Sequence, residues 1–127
     1  MRLARWILLL PCAAAGGYLA YFVGGFVNNL SILLYSGRPP SGWVAIFVDT
    51  AAHMYMGAAS TYIGMRIAPR HRKAVAASIT GLWLLLAGGS ILATILEGMY
   101  AAITPTIEVV VGSVGLTISV FRNELTL

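Results

Sequence analysis

Four stretches of about twenty mostly apolar residues follow one another along the chain, at 6–27, 43–65, 74–96 and 105–121. Each is long enough, the last only just, to cross a hydrocarbon core as a helix. None shows the period-two alternation of a barrel strand, so the pattern predicts helices throughout. The first can continue as helix through residues 30–35. The connections are short, as between antiparallel neighbours in a bundle. Residues 36–42 (SGRPPSG) combine glycine, serine and two prolines and cannot extend a helix. Residues 68–73 (APRHRK) join the second and third stretches. Residues 98–104 join the last two, with Thr104 placed as an N-cap and Pro105 as the first helical residue.

Composition turns this pattern into a class. Of 127 residues, 59% are hydrophobic and only 9% charged, against roughly 25% in an average soluble domain. The mean hydropathy is +0.86. Twelve charges cannot solvate the whole surface, and the single Cys12 excludes a disulfide scaffold. The expected fold is all-α: one polytopic membrane domain, a bundle of four transmembrane helices. The start, MRLARWILLLPCAAAGG, has the basic residues, apolar run and small residues of a signal peptide, and Leu10-Pro11-Cys12 hints at a lipoprotein site. The apolar run continues through residues 18–27, so a retained span is expected.

Charge then supplies orientation. Arg2 and Arg5 precede the first span, Arg66, Arg70, Arg72 and Lys73 lie between the second and third, and Arg122 follows the fourth. Seven of the eight cations thus fall on one side, and only Arg38 on the other. The positive-inside rule puts both termini and the 66–73 loop in the cytoplasm, for a bacterial inner (plasma) membrane or its equivalent. Trp6, Tyr35, Trp43, Tyr100 and Phe121 stand at span ends, where interfacial aromatics belong. The basic loop is read as a topology determinant, with contact to anionic lipid head groups as its functional alternative. It offers no element for reading nucleic acid.

Small residues mark packing faces: Ala13, Gly17, Ala20, Gly24 and Asn28 on the first span, Gly57, Ser60 and Gly64 on the second, Ala77, Gly81 and Gly88 on the third, Gly112, Gly115 and Ser119 on the fourth. Met54, Met56 and Met65 read as packing residues, and Tyr18, Tyr21 and Phe22 as core or lipid-facing.

The ionisable residues inside the spans are the lead toward chemistry, because each is costly there. Asp49 and His53 are four apart and share a face of the second span. Glu108 lies on the small-residue face of the fourth. His53 is thirteen residues before Arg66 and Glu108 fourteen before Arg122, so both sit about 20 Å from the cationic boundary. They should share a layer in the outer half of the membrane, with Asp49 a turn further out and Glu97 and Asn28 peripheral. Carboxylates and an imidazole brought together can relay a proton or hold a cation. The simpler reading is structural: Asp49 and Glu108 near the starts of their helices complement the macrodipole, and His53 bonds Asp49. One histidine with spaced carboxylates matches no tight metal-ligand spacing, so neither metal nor other cofactor is expected.

Known small membrane families are not matched. The first span lacks the glutamate of small multidrug-resistance transporters, and the third lacks the filter segment of fluoride channels. Cys12 has no partner for quinone-linked disulfide chemistry, and His53 alone cannot ligate haem from two helices. No nucleophile–base pair suggests an enzyme. The expectation is a non-enzymatic accessory or assembly subunit, surrounded by lipid and packing against itself or a larger complex. The alternative is a small proton- or cation-coupled transporter or channel using Asp49, His53 and Glu108.

Overall fold

The computed structural model describes residues 2–98 and 103–122 and is all-helical there. Its four helices are α1 (Arg2–Ser36), α2 (Gly42–Ile67), α3 (Arg72–Glu97) and α4 (Ile103–Phe121). α1 does continue past the first apolar run. It is 35 residues long, about 52 Å at 1.5 Å per residue. It passes unbroken through Pro11 and Cys12. It stops at Ser36, where Gly37 takes φ 69° and Pro39-Pro40 exclude further helix. α3 ends on Gly98, whose left-handed φ of 72° turns its N–H back to the last carbonyls of the helix. α4 begins earlier than the sequence suggests. Thr104 is inside the helix rather than capping it, and Pro105 sits in the first turn, where a missing N–H breaks no hydrogen bond. Tyr100 and most of the 98–104 connection lie outside the described residues.

Three helices are long and apolar enough to cross a membrane: α1, α3 and the Thr104–Phe121 part of α4. α2 is long but not among them. Asp49, Thr50, His53, Gly57, Ser60 and Thr61 dilute its apolar content, and these are the residues the bundle turns inward or puts to use.

The helices run up and down. α1 packs on α2, α2 on α4, α4 on α3, and α3 returns to α2. The tightest seam is between the parallel helices α2 and α4. A Cβ on Gly57 would collide with the Val109 carbonyl, and one on Gly112 with the Met54 carbonyl, so the two backbones touch at glycine. On the other side of α2, Gly17 lies against the Met56 carbonyl and Ser60, and Gly24 against the Tyr55 ring. Toward the cationic end the interior is apolar: Leu9, Ala13, Ala68, Val75 and Ile79 form one buried cluster, and Met65, Ala76 and Val120 another.

Between the seam and those clusters runs a chain of buried hydroxyls. Ser113 bonds Thr61 from one side and Thr80 from the other, the latter at 2.8 Å, and Thr80 bonds Thr117 at 2.7 Å. The Trp83 indole N–H donates to Ser60 at 2.9 Å. In an apolar medium such bonds tie helices together, because the alternative is an unsatisfied polar group.

The small-residue faces hold on α1 and α2 but not on α3. There the inward stripe is Ala76, Thr80, Trp83, Ala87 and Thr94, one position round from the expected Ala77, Gly81 and Gly88. A Cβ on Gly81 or Gly88 would meet nothing within 4 Å. On α4, Gly112 packs but Gly115 faces outward, and Ser119 bonds its own helix at the Gly115 carbonyl.

Gly57→Ala is expected to lower stability by about 1–3 kcal/mol, the usual range for overpacking a filled interior. Gly88→Ala, with open space around it, should cost nothing. Equilibrium unfolding in mixed detergent reads both.

Candidate functional site

The α2–α4 seam determines where the ionisable side chains meet. With Gly57 opposite Val109, the stretch of α2 one turn earlier faces Glu108 of α4. His53 Nδ1 lies 3.3 Å from Glu108 Oε2 and 3.5 Å from Asp49 Oδ2. Ligating atoms of all three residues lie within 4.8 Å of one another. His53 and Glu108, expected at one level from counting back from the arginines, do stand side by side.

The macrodipole account of the carboxylates does not hold. α2 starts at Gly42, so Asp49 stands about two turns inside it, and Glu108 is in the second turn of α4. Neither first turn contains an acid. The field of a helix end falls off within the first turn.

The three residues differ in exposure. The Asp49 side chain is 57% exposed, His53 16% and Glu108 11%. Glu108 is held from one side only: Thr50 Oγ1 donates to its Oε1 at 2.8 Å. Its Oε2 is buried and has no hydrogen-bond partner. His53 Nδ1 stands 3.3 Å from it, an ion-pair partner when the ring is protonated, and makes its hydrogen bond to the Asp49 backbone carbonyl at 2.9 Å. A buried carboxylate oxygen without a hydrogen bond is costly, and this one faces a nitrogen and a second carboxylate.

Two open cavities adjoin the group. The central one, about 310 Å³, lies among all four helices and is lined by His53, Tyr18, Tyr21, Trp83, Ser90 and Thr106, among others. The second, about 420 Å³, lies between α1, α2 and Pro40 of the connecting turn, and Asp49 lines it. Tyr21 lines both, and its ring packs on the His53 ring at 4.9 Å between centroids. Trp83, bonded to Ser60, borders the central cavity on the side of the hydroxyl chain.

Glu97 and Asn28 do not join the group. Glu97 ends α3 and is exposed, and Asn28 is half-buried on α1 outside the cluster. Thr50 and Tyr21 are the members that the sequence does not reveal. Thr50 adjoins Asp49 and reads as one more helical hydroxyl, while Tyr21 lies in an apolar run as any core aromatic would. At the opposite end of the bundle, Arg66 stands over the Tyr62 ring at 6.0 Å and Lys73 over the Phe121 ring at 5.8 Å.

No protein-family model, curated protein or solved structure matches this chain. Among the described residues, fold and site together define an all-helical arrangement with three helices apolar enough to cross a membrane and a His–carboxylate group between two cavities.

Thr50→Val removes the donor to Glu108 Oε1 and should destabilise the protein by about 1–3 kcal/mol, the cost of stranding a polar atom. Thr50→Ser, which keeps a hydroxyl, should recover most of the loss. Paired unfolding curves test this.

Proposed function

We propose that this is a four-span membrane protein, N-in and C-in, that takes up a cation at Asp49, His53 and Glu108 and acts as a small cation-coupled transporter or channel. In this reading α2 is the fourth span, and its polar residues are tolerated because they face partners or cavities. Arg66, Arg70, Arg72 and Lys73 lie at the cytoplasmic surface, where they set topology and meet anionic lipid. The observation that carries the reading is the convergence of Asp49, His53 and Glu108, with Glu108 Oε2 buried without a hydrogen bond and 3.3 Å from His53 Nδ1. The open cavities on either side supply approaches to the group.

The test is flux of protons and metal cations in proteoliposomes. Asp49→Asn and Glu108→Gln should each bring flux down to that of protein-free vesicles, whereas Glu97→Gln should leave it intact. Unchanged flux in both site variants, or none in the wild type, refutes the reading.

A second reading, an accessory subunit that packs against itself or a larger complex, is favoured by the outward glycines of α3. Gly81 and Gly88 present backbone with nothing against it, a surface suited to another helix. Cross-linking in native membranes should then trap a species larger than the monomer, and Gly88→Leu should reduce it. A protein that is monomeric throughout argues against this reading.

A further inference from the structure

The geometry points to a divalent transition-metal site, of the kind that takes Zn²⁺, formed by His53 Nδ1 and the carboxylates of Asp49 and Glu108. This inference rests on the cation reading above and names the cation.

Three observations lead to it. The first is spacing. In a tetrahedral site with bonds near 2.0–2.1 Å, neighbouring ligand atoms are about 3.4 Å apart. Nδ1 lies 3.3 Å from Glu108 Oε2 and 3.5 Å from Asp49 Oδ2. Bringing the two carboxylates together to complete the face asks most of Asp49, the exposed and least constrained member. The second is the buried Oε2 of Glu108, which lacks a hydrogen bond and faces the other two donors. The third is support around the ligands: Thr50 Oγ1 holds the other oxygen of Glu108, as outer hydrogen bonds do for metal-bound carboxylates, and the Tyr21 ring packs against the imidazole.

The donor set selects the ion. One imidazole nitrogen with two carboxylate oxygens suits Zn²⁺ and its neighbours in the first transition row, whereas Mg²⁺ and Ca²⁺ prefer oxygen alone. Binding at Nδ1 takes the tautomer whose proton sits on Nε2; the hydrogen bond to the Asp49 carbonyl is given up, and a rotation of the ring aims the Nδ1 lone pair between the two carboxylates. Three protein ligands leave a fourth position open. His53 lines the central cavity and Asp49 the outer one, so an ion there would be reachable and exchangeable, as a transported or sensed ion must be.

The full-length protein, purified in detergent or nanodiscs, is titrated with Zn²⁺ by calorimetry and with Co²⁺ by visible absorption. One ion per chain is expected, with the intense Co²⁺ bands of a four-coordinate site and a higher melting temperature on adding Zn²⁺. Asp49→Asn, which alters an exposed side chain, and Glu108→Gln should each abolish the Co²⁺ spectrum. Thr50→Val should weaken binding by about 10–100-fold, as loss of an outer-sphere partner does. His71→Asn, which removes the other histidine while tolerating its left-handed backbone (φ 55°), should change nothing. No saturable binding by the wild type, binding that survives both carboxylate variants, or binding lost in His71→Asn overturns the site. If metal binding fails while proton or monovalent flux still depends on Asp49 and Glu108, the metal inference falls and the cation reading stands. If Zn²⁺ binds but flux does not depend on those residues, the site stands and the transport reading falls.

Discussion

The contact of two backbones at Gly57 and Gly112 is the constraint on which the remaining arrangement depends. The close approach comes from shape, through residues without side chains. Once α2 and α4 touch, their parallel course places Thr50 beside Glu108, His53 within reach of the same carboxylate, and Thr61 against Ser113. A methyl group at either glycine would separate the helices at the level where these polar contacts are made.

Polar groups inside this bundle fall into two kinds. The hydroxyls of Thr61, Ser113, Thr80 and Thr117 bond one another in a continuous run, and each finds a partner. They act as interhelical ties. The ionisable group a turn or two away is different, because Glu108 Oε2 is buried without a hydrogen bond. The same helices thus carry a saturated network beside an unsaturated group. That contrast separates residues that hold the fold from residues that have capacity left for something else.

Much of the architecture is legible in the sequence, because long apolar runs separated by short glycine-, proline- and charge-bearing segments mark where the helices run and where they stop. The 36–42 turn follows from its glycines and prolines, and the shared depth of His53 and Glu108 from counting residues back from the arginines. Rotation about a helix axis is harder to read. On α3, a face of glycines and a face of alanine, threonine and tryptophan lie one residue apart, and composition alone chose the wrong one. The hydroxyl partners were also hidden: a serine or threonine in a helix can bond its own preceding turn, as Ser31 and Thr94 do, so its presence predicts no contact across helices. Thr50 escaped notice for that reason. Metal-ligand spacing was absent from the sequence because the third donor arrives from another helix.

α1 is attached unequally along its length. Its backbone is close to α2 alone, but near the cationic end Leu9 and Ala13 are also buried with Val75 and Ile79 of α3. At the level of His53, the central cavity separates Tyr18 and Tyr21 from α3 and α4. α1 is therefore shared between α3 and α2 near its start and rests on α2 farther along, where Gly17, Gly24 and Gly25 bring it close to Met56, Tyr55 and Ala52. The wall that Tyr21 adds to both cavities is thus set by the α1–α2 contact, not by the glycine seam that positions the donors.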